Sequence, residues 1–252
     1  MAIQRVVSKQ RKTEVLLQSE KLSLHVPDTR VYTKDSLKAM LDQYGMLYIK
    51  PDSGTFGNGV IKVQKLEEGG YRFQSGTRVQ THAAYDAMFQ SLERIRPKKR
   101  YLAQKGIHLL RHRNRRFDLR VMVQRNPAGA WETTGIIGRL SHPSKIVTNY
   151  HSGGTITPFE TLLGSHMDAA AQKEFRSRLE KLGVQTGEQL ATRWPRLKEI
   201  GLDVAVDTAL KPWILEVNTK PDPYIFRKLQ DKGIFRRMRR YAAAYAPKRS
   251  AR

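Results

Sequence analysis

Gly201-Leu202-Asp203-Val204-Ala205-Val206-Asp207, followed by Pro212-Trp213-Ile214-Leu215-Glu216-Val217-Asn218-Thr219-Lys220-Pro221, reads as two apolar strands joined by a turn at residues 208–212. Side chains two apart on a strand share a face, so Glu216 and Asn218 point the same way. A hairpin brings Asp203, which opens the first strand, close to them. Three hard oxygen ligands clustered in this way suit Mg²⁺, a cation that takes oxygen donors and shares its shell with substrate phosphates. The plain alternative is a hairpin with polar ends.

Working outward, a second segment carries Tyr48-Ile49-Lys50-Pro51-Asp52-Ser53-Gly54-Thr55-Phe56-Gly57-Asn58-Gly59-Val60-Ile61-Lys62-Val63. It reads as strand, glycine-rich loop, strand. Three glycines and a serine let backbone N–H groups approach and wrap an anion. Lys50, leading into the loop, can reach a phosphate as a point charge. The Walker pattern is absent, since that ends in Gly-Lys-Ser/Thr and opens a helix. Here Val60, Ile61 and Val63 favour a strand. A third segment places Asp118 and Arg120 on one strand, Arg139 on the next, and Asn149, Gly153 and Gly154 on a loop beyond.

These three segments together resemble the ATP-grasp superfamily, whose members carry such a loop over nucleotide phosphates and an Asp…Glu-x-Asn metal set. The thirteen-residue step from Asp203 to Glu216 is similar to that of the D-alanine–D-alanine ligases. The third segment is similar to the YheC/YheD branch of endospore coat-associated proteins, and to the Asp-x-Arg…Arg…Asn…Gly-Gly pattern of ribosomal-protein glutamate ligases. The resemblance runs from about Val31 to Leu229. It implies an α+β fold in which two α/β subdomains grip a nucleotide, with ATP and Mg²⁺ as cofactors. Asp203, Glu216 and Asn218 are the implied metal ligands. Lys50, Ser53, Gly54, Thr55, Gly57 and Gly59 are implied at the phosphates, and Gln104, Lys105 and Ile107 at the adenine hinge, where many members place a Glu. Arg120 and Arg139 are implied to stabilise the transferring phosphoryl group. Asp118 is expected to hold Arg120 or Lys50, and Asn149, Gly153 and Gly154 to lie on the acceptor side. A second phosphate lysine falls on Lys34 or Lys38, without a choice between them.

The expected organisation is an N-terminal extension over 1–30 with one strand, a first subdomain over 31–108, a second over 109–235 and a basic tail over 236–252. Helices are expected at 36–44, 83–92, 168–182, 187–200, 222–228 and 233–245. Only about thirty residues precede the matching region, so the expectation is a short form lacking the additional leading domain.

Composition adds a charge anomaly. Among 252 residues, 46 Lys and Arg face 23 Asp and Glu, a formal excess of +23. Arginine and lysine cluster at 94–100, 111–116 and 227–252. Such a surface attracts polyanions or acidic substrates. The chain has no cysteine, which excludes disulfides, thiolate metal sites and a Cys nucleophile. No apolar run is long enough to span a bilayer. Met1-Ala2-Ile3-Gln4-Arg5 leads into no signal-like stretch, so the expected location is cytoplasmic, with spore association implied by the resemblance. His108, His112, His142 and His151 lack zinc-site spacing. The functional expectation is an ATP- and Mg-dependent carboxylate–amine (or related nucleophile) ligase acting through an acylphosphate. The alternatives are a non-catalytic polyanion-binding or spore-coat structural protein on the same scaffold, and a kinase that stops at phosphoryl transfer.

Overall fold

In a computed structural model, which describes residues 3–54, 57–146, 148 and 153–245, two antiparallel sheets face each other across a cleft. The first is built from β1 (Thr29–Val31), β2 (Met46–Pro51), β3 (Ile61–Lys65), β4 (Tyr71–Ser75), β5 (Arg78–His82) and β6 (Tyr101–Lys105), in the order β1-β6-β2-β3-β4-β5. The second runs β10-β9-β8-β11-β12, from β8 (Arg115–Arg125), β9 (Trp131–Leu140), β10 (Thr155–Thr157), β11 (Glu199–Val206) and β12 (Pro212–Asn218). A short β7 (Arg111–His112) pairs with β8.

Strand alternation sorts each sheet into a packed face and a cleft face. In the first sheet Leu47, Ile49, Ile61, Val63, Phe73 and Ala103 are buried. They lie beneath α3 (Lys34–Tyr44) and α4 (Tyr85–Ile95). Helix α3 begins with a capping box between Thr33 and Ser36 and ends at Gly45 in the left-handed region. The alternate residues Tyr48, Lys50, Lys62 and Gln104 turn to the cleft. In the second sheet Phe117, Leu119, Val121 and Val123 pack under α6 (Ala169–Arg193), with α5 (Phe159–Leu163) at one end.

Helix α6 is one continuous helix where two were expected, 168–182 and 187–200. The two glycines near the expected break serve contact. A Cβ on Gly183 would come 2.8 Å from Val123, and one on Gly187 2.8 Å from Trp131, so both let the helix lie close on the sheet. Residues 199 and 200 belong to β11, where Ile200 is fully buried. The segment expected as a helix at 222–228 is a 3₁₀ turn, Tyr224–Lys228.

Both ends of the chain are more integrated than the sequence suggested. The N-terminal region holds helices α1 (Lys9–Leu17) and α2 (Glu20–Ser23) before β1. Val15 and Leu16 lie on the buried side of α1, and the strand of this region is β1 at its end. Helix α7 (Lys232–Tyr245) is not a tail from residue 236 onward. Met238 is fully buried against Met122 and Ile137, and Tyr241 donates to Glu132 at 2.8 Å. Residues 246–252 lie outside the described part. Among the described residues no helix is long and apolar enough to cross a membrane.

Candidate active site

The β8–β9–β11–β12 sheet presents its polar residues on a single face. Asp203 pairs in register with Arg120 on one side and Glu216 on the other. Arg139 pairs with Asp118, and Asn218 stands opposite Gly201. Directly opposed residues of an antiparallel pair share a face. Asp118, Arg120, Arg139, Asp203, Glu216 and Asn218 therefore converge, although they come from four strands. A register shift between Asp203 and Val204 sits at this point, as bulges do where a side chain is re-aimed.

An ion-pair chain links the buried members. Arg139 donates from Nε to Asp118 Oδ1 at 2.8 Å and from its terminal nitrogen to Asp118 Oδ2 at 2.6 Å. The same terminal nitrogen reaches Asp203 Oδ2 at 3.1 Å. Arg120 Nε donates to Asp203 Oδ1 at 2.7 Å, and Thr148 Oγ1 donates to Asp118 Oδ2 at 2.6 Å. Burial alone would raise the Asp203 carboxyl; Arg120 and Arg139 outweigh it and hold the carboxyl below its ordinary range. Asp118 thus fixes Arg139, and not Arg120 or Lys50 as expected.

Three lysines face this cluster. Lys50, at the end of β2, donates to Gln104 Oε1 and to the carbonyl of Leu215, each at 2.8 Å. These bonds tie the first sheet to β12. Burial pushes its ammonium down to about 8, against the opposing pull of Glu216. Lys9 and Lys12 come from α1, which was not expected to contribute. Lys9 Nζ lies 3.6 Å from Glu216 Oε1 and donates to the carbonyl of Gly54 in the glycine-rich loop at 3.1 Å. Lys12 is 4% exposed, donates to the carbonyl of Val6, and is pushed by burial to about 8. The helix is anchored to both sides of the cleft. Ser8 and the backbone of Gln10 donate to Asp52 Oδ1, while Arg5 donates to the carbonyl of Thr219. Lys34 and Lys38, the expected second phosphate lysines, pair instead with Asp86 and Asp42 on the outer surface.

The loop itself supports close approach of an anion. Gly54, Gly57 and Gly59 all adopt positive φ. A Cβ on Gly59 would meet the Tyr101 hydroxyl at 2.7 Å, so glycine is required there. Ser53 is exposed at the loop entrance. Thr55 and Asn149 lie outside the described residues. Gly153 packs beside His142. At the hinge, Gln104 holds Lys50 and donates to Thr29 Oγ1 at 3.0 Å. Lys105 turns away and sits over the rings of Tyr44 and Trp213. Ile107 lines a cavity of about 570 Å³ between the sheets, together with Tyr48 and Lys62.

The family model described as YheC/D-like ATP-grasp matches residues 2–248, nearly the whole chain. The chain belongs to this ATP-grasp family. The match takes in α1 and α7, which the sequence reading had set outside it. Two curated relatives from Bacillus subtilis (strain 168) are similar. Endospore coat-associated protein YheD is 26% identical over 73% of this chain and 41% of its own length. Endospore coat-associated protein YheC is 21% identical over 82% of this chain and 57% of its own. The chain thus spans about half the length of the curated relatives it matches. Among solved structures, the ATP-grasp ligase PsnB, complexed with minimal precursor, Mg and ADP, superposes with a TM-score of 0.52 at 13% identity. That likeness covers 94% of this chain and 58% of PsnB.

Within this ATP-grasp cleft the donor set bears on a metal. Among the described residues no three His, Cys, Asp or Glu side chains gather as a metal cage. Asp203, Glu216 and the amide of Asn218 offer two carboxylates and one neutral oxygen, and Lys9, Lys12, Lys50, Arg120 and Arg139 surround them. A bare dication is repelled by that surround. A Mg²⁺ that keeps few protein ligands and arrives with phosphate oxygens fits it.

Proposed function

We propose that this protein is an ATP- and Mg-dependent ligase that joins a carboxylate to an amine or related nucleophile through an acylphosphate. The observation that carries the proposal is the convergence of two carboxylates, an amide, two arginines and three buried lysines on one cleft below a glycine-rich loop. Glu216, Asp203 and Asn218 would hold Mg²⁺. When bound, the ion neutralises phosphate charge and aligns the oxygens for in-line transfer.

The residues of the chain supply the rest. Backbone N–H groups around Ser53, Gly54, Thr55, Gly57 and Gly59 cover the phosphates. Lys50 from β2 and Lys9 from α1 neutralise them, and Ile107 meets the uncharged nucleoside end. A carboxylate oxygen attacks the γ-phosphorus, the bond to the β-phosphate oxygen breaks, and ADP leaves. Arg120 and Arg139 stabilise the charge that spreads over the transferring group. The nucleophile then attacks the acyl carbon, phosphate departs with the electron pair of the C–O bond, and the nucleophile's proton passes to solvent. The Arg139–Asp118–Asp203 chain keeps both arginines in place without a protein nucleophile.

Exposed Arg236, Arg239 and Arg240 on α7 give the fold a positive face suited to an acidic or polymeric partner. The names of the relatives make a spore-associated setting part of this proposal.

Lys50→Met tests the phosphate assignment. The variant is expected to bind Mg-AMPPNP at least about tenfold more weakly, the loss of one charge-assisted contact. Lys34→Met, at the outer surface, is expected to bind as the parent does. Calorimetric titration separates the two, and equal affinities would place the phosphate site elsewhere.

A further inference from the structure

The cavity beyond Ile107 holds more positive charge than the nucleoside end of ATP can use. Lys62 projects from the middle of β3 into it, beside Tyr48, with Arg116 and Arg111 on the facing wall. Burial, with Arg116, Arg111 and Arg72 acting in the same sense, lowers the Lys62 ammonium to about 8, and no carboxylate acts in the other direction. Arg111 and Arg116 are opposed in register across β7 and β8, an arrangement of like charges that destabilises a strand pair. Among the described residues the Arg111 guanidinium donates only to Asn114. Among the described residues no acidic side chain pairs with Lys62, Arg72, Arg111 or Arg116. Elsewhere in this cleft Arg120 and Arg139 are answered by Asp118 and Asp203, and Lys9 by Glu216, while Lys12 and Lys50 donate to carbonyl oxygens. An unanswered group of cations in a cavity of about 570 Å³ is suited to a ligand.

The ligand is not the triphosphate, because Lys50 and the glycine-rich loop define the phosphate end and adenosine is neutral. We propose that Lys62, Arg111 and Arg116 form a second anion subsite, which takes the phosphate group of a small phosphorylated acceptor. Two guanidinium forks and an ammonium offer more donors and charge than a single carboxylate can use, and match a dianionic phosphate. Met46, Leu109 and Leu110 line the same cavity and provide apolar surface for the body of that molecule. The acceptor role rests on the ligase reading above; the anion subsite itself does not.

The test is calorimetric titration of inorganic phosphate into the full chain at low salt, with and without saturating Mg-AMPPNP. One phosphate is expected to bind in both conditions. Lys62→Met combined with Arg116→Gln is expected to weaken it at least about tenfold, with Mg-AMPPNP affinity kept within about twofold. Arg113→Gln, at the exposed hairpin tip, removes one charge and is expected to leave phosphate binding unchanged. Should the double variant fail to fold, Arg116→Gln alone is expected to weaken phosphate binding by about threefold. Three results overturn the proposal: no phosphate binding by the parent, undiminished binding by these variants, or displacement of phosphate by AMPPNP. A parent that binds phosphate but not AMPPNP would refute the ligase reading and leave the subsite standing.

Discussion

Glu216→Ala is expected to reduce Mg-dependent ATP turnover by at least about 10²-fold, the effect of losing a few kcal/mol of transition-state charge stabilisation. Glu216 is the least committed carboxylate of the site. Asp203 is held by two arginines, whereas Glu216 has a single ammonium 3.6 Å away and remains partly open to the cleft. It is therefore the group with lone pairs to spare for a cation. The measurement is phosphate release across a panel of carboxylates and amines. Full activity in the variant would remove Glu216 from the metal site.

Arg139→Met is expected to destabilise the fold by about 3 kcal/mol, because it strands buried charge on both Asp118 and Asp203. That corresponds to a Tm lower by roughly 6–12 °C in a domain of this size. The residue is 3% exposed and its guanidinium makes three short contacts to those carboxylates. Lys34→Met, at an exposed pair with Asp86, is expected to change stability by under about 1 kcal/mol. Urea unfolding of the two variants gives the comparison. A small and equal loss in both would mean that the Arg139 network is solvated and contributes little to the fold.

The strand-based part of the site was legible because a period of two is unambiguous. Asp203 is flanked by the buried Leu202 and Val204, and Val217 separates Glu216 from Asn218, so a hairpin that packs the apolar residues leaves the polar ones on the other face; the register shift beside Asp203, which sets Ile214 opposite Val204, was not legible. The glycine-rich loop was legible for a similar reason, since no core position explains so many glycines between two apolar strands. The helix-borne part was hidden. Lys9, Lys12, Val15 and Leu16 form one buried stripe of α1, but two of its four members are lysines. A pattern that counts lysine as surface shows only a short apolar patch, and no helix was expected there. Ser8, the N-cap of α1, was the available signal.

The continuity of α6 was not legible, and there Gly183 and Gly187 lie within the helix and allow close packing on Val123 and Trp131. At the C-terminal end, arginines at 236, 237, 239 and 240 masked the stripe of Met238 and Tyr241 that docks α7. The partner of Asp118 was not legible either. Asp118 and Arg139 are 21 residues apart, and only the β8–β9 register decides that they meet.

The most direct measurement is calorimetric titration of the full chain with AMPPNP in the presence and absence of Mg²⁺. In the proposed arrangement the site sets cations against the phosphates and carboxylates against the metal, so each ligand should require the other. The prediction is one-to-one binding with Mg²⁺, at least about tenfold weaker binding without it, and little binding of Mg²⁺ alone. No binding of AMPPNP at millimolar concentration with Mg²⁺ present, or an affinity indifferent to Mg²⁺, would contradict a nucleotide site built on Lys50, Asp203, Glu216 and Asn218.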